Sequence, residues 1–147
     1  MKNDYYDERY EKVLGIRDDD VFVSVGHFIT KQYFIHIISS MTKAILIHEK
    51  LGAIEEIDLD IAPEKNQIYK LLKGRATFIG QWPDLDVCIM KAEKGGLSKN
   101  ENTLPRPFSR EEVYSKILLV RMDEQSEPRD FTMEEYQSFL RNKRVAM

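Results

Sequence analysis

Two stretches of strand-like residues, KAILIHEK over 43–50 and Ala53 to Leu59, are separated only by Leu51-Gly52. A connection of two residues cannot carry a crossover, so two strands joined this way must pair antiparallel. Gly52 supplies the backbone freedom that so tight a reversal needs. Farther along, Arg75 to Trp82 and Val87 to Ala92 flank Pro83-Asp84-Leu85-Asp86, and Pro-Asp favours the start of a turn. Ile117 to Met122 (ILLVRM) reads as a buried strand. Hairpins of this kind, repeated along one chain, commit it to a mostly antiparallel sheet.

Helices are interleaved with these strands. After Asp60, Pro63 fits a first helical turn, and Ile68, Leu71 and Leu72 line one face before Gly74 stops the helix. Ser109-x-x-Glu112 and Thr132-x-x-Glu135 both match a capping box, in which the first side chain and the fourth each bond the other's amide. The second box opens a final helix with Tyr136, Phe139 and Leu140 on one face. The order predicts an α+β fold: a mostly antiparallel sheet with two or three helices packed on one face.

The first forty residues differ in character. Residues 1–20 are strongly charged and form an arm or a docked helix with Tyr6, Tyr10, Val13 and Leu14 on one side. Val21 to Val25 and Tyr33 to Ile38 read as strands, with a buried helix from Phe28 to Ser40 as the competing assignment for the second. One domain over 21–147 follows, because 147 residues are too few for two comfortable ones.

Composition narrows the function classes. A net charge of -3 argues against a general nucleic-acid binder, which concentrates positive charge against phosphate. The single cysteine, Cys88, lies in the apolar run VCIM, cannot form an intramolecular disulfide, and is expected to be a buried, inert thiol in a cytoplasmic protein. Val21 to Ile38 is interrupted by His27, Lys31, Gln32 and His36, so no membrane span is expected there.

No grouping announces catalysis. His27, His36 and His48 sit on separate apolar segments without the three or four ligands a zinc site needs. Asp84 and Asp86 fall in a turn, Asp18 to Asp20 at a solvated junction, and Glu55, Glu56 and Asp58 on a strand that suits an exposed edge. Gly95-Gly96 lacks the Gly-Lys-Ser/Thr continuation of a phosphate loop. No cofactor and no metal are expected. Lys91, Lys94, Lys99, Arg106 and Arg110 form a basic series beside the longest irregular stretch, Glu93 to Pro107.

From Met41 onward, MTKAILIHEKLGAIEEIDL, LLKG, RATFIGQW, DVCIM, LPRP and ILLVRM occur in an order that resembles a small uncharacterised domain of phages and bacteria, with relatives in large DNA viruses and algae. That family typically has Gly-Gly at the end of its first helix, where this chain has Lys73-Gly74-Arg75. The resemblance implies kinship of fold over residues 41–122 and a viral or mobile-element origin, and it implies no reaction.

Within Asn100 to Phe108 (NENTLPRPF), Leu104, Pro105, Arg106, Pro107 and Phe108, with Trp82, are the expected partner-binding residues. The expected function is a non-enzymatic interaction or regulatory protein with a protein partner. The alternative is a nucleic-acid-associated accessory protein.

Overall fold

The computed structural model describes residues 41–145. The arm, the two early strands, His27, His36 and Asp18 to Asp20 lie outside them. Along the described chain come β1 (Met41–Ile47), β2 (Ile54–Asp60), a 3-10 turn (Pro63–Lys65), α1 (Gln67–Leu72), β3 (Ala76–Trp82), a second 3-10 turn (Pro83–Leu85), β4 (Val87–Ala92), β5 (Ile117–Met122), β6 (Pro128–Arg129) and α2 (Met133–Val145). The fold is α+β, with one sheet in the order β2-β1-β5-β4-β3 and β6 paired to β5. Every pairing is antiparallel.

Each strand that reads as apolar finds its place for that reason. In β1, β4 and β5 successive side chains alternate between two faces, and nearly all are buried. Ala44, Leu46, Cys88, Met90, Leu118 and Val120 form an aliphatic face. Ile45, Ile47, Val87, Ile89, Ile117 and Leu119 form the opposite one, which also gathers Trp82, Phe108, Phe131 and Tyr136. A sheet apolar on both sides needs cover on both sides, and this corrects the expectation of helices on one face. Ile68 and Leu72 of α1 pack on the aliphatic face. Tyr136, with Met133, Phe139 and Leu140 of α2, packs on the aromatic one.

The helices differ in how their ends are held. Thr132 Oγ1 accepts from the Glu135 amide at 3.2 Å, and Glu135 Oε1 accepts from the Thr132 amide at 3.2 Å, so the expected capping box is formed. Glu56 Oε1, from β2, accepts the next free amide, that of Met133, at 2.9 Å. The segment from Pro63 is instead two pieces, because Asn66 takes a left-handed conformation (φ 51°) between the 3-10 turn and α1. Gly74 does end α1, but Lys73 before it is also left-handed (φ 58°) and Gly74 itself has φ 158°. Two successive positive-φ positions are where a Gly-Gly pair fits without steric cost.

Ser109-x-x-Glu112 opens no helix, contrary to expectation. Glu111 N donates to Phe108 O, and the carbonyls of Val113 and Tyr114 accept from Asn100 and Gly96 at 2.7 and 2.6 Å, so this backbone is committed to loop contacts. The two-residue β6 had no sequence signal. It fills the gap where β1 and β5 part, with Phe131 N donating to Lys43 O and Asp130 Oδ1 accepting from Lys43 N.

Candidate functional site

The long connection between β4 and β5 is fixed at both of its ends. Asn100 is 5% exposed, and its Nδ2 donates to Ser115 O at 3.1 Å and Ile47 O at 3.4 Å while its Oδ1 accepts from the Asn102 amide at 2.9 Å. Asn102 continues the network outward. Its Nδ2 donates to His48 O and Lys50 O, and its Oδ1 accepts from Gly52 N at 2.9 Å. One amide side chain thus closes the β1–β2 turn against the loop. These two asparagines are what sequence reasoning missed, although an Asn-rich stretch beside a glycine turn was the available signal.

Beyond Asn102 the chain runs over the aromatic face. Leu104 and Phe108 are each 4% exposed, Trp82 is 2% exposed, and Pro105 is buried with them. The Phe108 ring stands edge-on to Trp82, with centroids 6.2 Å apart. It also lies over Gly80, where an added Cβ would fall 2.5 Å from Phe108 Cζ. Gly80 faces this way because Ile79 is an extra residue in the β3–β4 pairing. Trp82 also packs on Tyr136 and Phe139 of α2.

Of the six expected partner-binding residues, four therefore lie in the core, where their apolar atoms are already covered. Arg106 and Pro107 remain exposed. The backbone that carries them is held from below, since Trp82 Nε1 donates to Arg106 O at 3.1 Å. The Arg106–Pro107 peptide is cis. Arg106 takes part in none of the ion pairs among the described residues.

The other basic residues of the expected series differ in their surroundings. Lys91 sits within β4, opposite Thr77 and Ile117. Lys99 is paired with Glu112 at 3.1 Å. Lys94 and Arg110 are exposed, each next in sequence to a glutamate, Glu93 and Glu111. Clustered carboxylates are similarly engaged: Glu55 with His48 Nε2 at 3.0 Å, and Glu56 and Asp58 with Lys43 at 3.6 and 3.4 Å. Lys43 is held above its ordinary value by a hydrogen bond and charge from Asp58, then by the charge of Glu56. Asp84 sits on an exposed 3-10 turn and Asp86 takes the left-handed conformation that closes it (φ 55°). Among the described residues no group of three His, Cys, Asp or Glu is arranged to hold a metal ion.

A second polar cluster ties α2 to the sheet. Arg121 Nη1 donates to Glu135 Oε2 at 2.7 Å and to Asp130 O at 2.8 Å, its Nε donates to Leu85 O, and its guanidinium lies 5.0 Å from the centroid of Phe131. Partial burial pushes the Glu135 carboxyl up. The hydrogen bond from Arg121, the Thr132 amide and the charge of Arg121 outweigh this and hold it below the usual carboxylate range. With Nε and Nη1 engaged inside the fold, Arg121 is a strut.

Cys88 is 2% exposed, and its thiol donates to Val120 O at 3.2 Å. Among the described residues no helix is long and apolar enough to cross a membrane. No curated protein and no solved structure matches the chain. A family model matches residues 45–139, from the middle of β1 through the capped start and aromatic face of α2, so that it takes in the sheet, the loop and both helix contacts: the chain belongs to a family of unknown function, DUF5880.

Proposed function

We propose that this is a small non-enzymatic interaction or regulatory protein that presents Arg106 and Pro107 to a protein partner. The observation that carries the reading is the hydrogen bond from Trp82 Nε1 to Arg106 O, between the buried anchors Leu104 and Phe108. Backbone already fixed in this way has little ordering entropy left to lose on binding. An outward guanidinium on such backbone is suited to a carboxylate or phosphate, which it grips with two parallel hydrogen bonds. The resemblance to a domain of phages and large DNA viruses extends the reading to a viral or mobile-element setting.

Affinity purification from the native host, with Arg106→Ala alongside, tests this. Arg106→Ala is expected to change stability by less than about 0.5 kcal/mol, as an exposed side chain should, while recovery of the specific partner falls. Equal recovery with both proteins overturns the reading. Binding to nucleic acid that weakens steeply with salt would replace it with that of a nucleic-acid-associated accessory protein.

A further inference from the structure

Residues 65–75 (KNQIYKLLKGR) hold four cations, Lys65, Lys70, Lys73 and Arg75, and no carboxylate, in a chain whose net charge is -3. The fold turns that composition into a surface. Ile68, Leu71 and Leu72 of α1 pack on the aliphatic face of the sheet. A helix that commits one side to the core turns the positions between them outward. Tyr69 and Lys70 occupy those positions, and Tyr69 is 51% exposed. The amides of Lys73 and Gly74 both donate to Tyr69 O, so Lys73, also exposed, is held one turn beyond Tyr69. Lys65, on the 3-10 turn before α1, and Arg75, just after it, are exposed at its two ends. Lys65, Lys70 and Lys73 take part in none of the ion pairs among the described residues, and Arg75 reaches Glu93 only at 3.9 Å. Lys73 also holds a left-handed backbone (φ 58°) that glycine would hold without steric cost. A side chain kept at a strained position is a pointer to function.

We propose that this surface binds single-stranded nucleic acid, with Tyr69 stacked on a base and the four cations set against phosphates. Uncompensated positive charge on one side of an otherwise acidic chain attracts a polyanion. Among polyanions, a single strand is the one that also offers flat, unstacked bases to an exposed aromatic ring. Three of the four cations are lysines, point charges on flexible stems, which suit phosphates of variable spacing. A carboxylate-bearing partner is gripped best by the planar fork of arginine. A bilayer surface calls for several apolar side chains, and those of α1 other than Tyr69 are turned into the core. α1 lies on the opposite face of the sheet from Trp82 and the loop that carries Arg106. The inference therefore concerns a second surface and leaves the protein partner of the loop in place.

Fluorescence anisotropy of a labelled oligothymidylate, titrated with the full chain over a range of salt concentrations, tests this. Four phosphate contacts on a single strand predict that log K falls against log salt with a slope of about -3. Lys73→Gly is expected to reduce that slope by about 0.7. Glycine relieves the backbone at this position, so weaker binding by this variant is not a sign of unfolding. Tyr69→Ala is expected to weaken binding by about fivefold or more at every salt concentration while leaving the slope as it is, because stacking carries no charge. Arg106→Ala is expected to change neither quantity. Binding that needs Arg106 belongs to the loop and overturns the inference, whereas salt-dependent binding that survives Arg106→Ala does not bear on the protein partner of the loop. Absence of binding at low salt overturns the inference, as does a Tyr69→Ala variant that binds as well as wild type. Polyglutamate that displaces the probe as effectively as unlabelled oligothymidylate would assign the surface to an acidic protein segment. Vesicles containing phosphatidylserine that do so would assign it to lipid, and either result also overturns the inference.

Discussion

The two faces of the sheet are built from different materials. The aromatic face joins residues far apart in the chain: Trp82 from β3, Leu104 and Phe108 from the loop, Phe131 and Tyr136 from the last quarter. The aliphatic face joins mainly strand residues that alternate with those of the other side, together with the short α1. The difference explains why one loop is so firmly placed. Asn100 to Phe108 is a wall of the aromatic face, and what it offers to solvent is confined to its outer turn. A long irregular segment can be ordered by its own core contacts, and then its exposed residues inherit that order.

Several substitutions would break this contrast or sharpen it. The largest effect is expected for Phe108→Ala, which removes a ring held between Trp82 and Gly80 and should cost about 3–5 kcal/mol in urea unfolding. A cost below about 1 kcal/mol would return Phe108 to the surface and dissolve the distinction between the faces. Gly80→Ala comes next, at about 3 kcal/mol, because its Cβ would fall within 2.6 Å of two Phe108 ring atoms. In the Phe108→Ala background the same change should cost little, and a double-mutant cycle measures that coupling.

Tyr136 gives the aromatic face a signature at high pH. Burial pushes its hydroxyl from 10.0 up to about 12. The folded state thus favours the neutral phenol. The resulting contribution, on the order of 2 kcal/mol, is present in full below the unfolded value and is lost as pH rises through the folded one. Tyrosinate absorbance should show one residue titrating late, together with unfolding, and Tyr136→Phe should remove that alkaline loss. The smallest effect belongs to the other face. Lys73→Gly relieves a left-handed backbone at the end of α1 and should stabilise by up to about 1 kcal/mol. A destabilising result would mean that the Lys73 side chain makes a contact worth more than the strain.

Much of this architecture was legible. The strands from β1 to β5 could be read because alternation and short turns leave a strand few alternatives, and the Thr132–Glu135 box could be read because both of its partners are local. The misreadings share one cause. The Ser109–Glu112 box has the same local chemistry, but the carbonyls that follow it, those of Val113 and Tyr114, accept across the loop from Asn100 and Gly96, and tertiary contacts override a local preference. The placement of helices on both faces follows from burial on both sides of β4 and β5, which their sequences display only as continuous apolar runs. Leu104 and Phe108 look alike as core or as contact residues in sequence. Only the ring of Phe108 against Gly80, made accessible by the bulge at Ile79, decides between them.

The claim on which the account rests is that the loop backbone is anchored to the core beneath Arg106. Hydrogen exchange at the Trp82 indole N–H, followed by NMR, tests it most directly, because that proton is the link to Arg106 O. The account predicts that it exchanges only on global unfolding, as slowly as the amides of β4 and β5. Exchange within about tenfold of the rate of a free indole under the same conditions would contradict it, by showing that the loop lifts away from a native sheet.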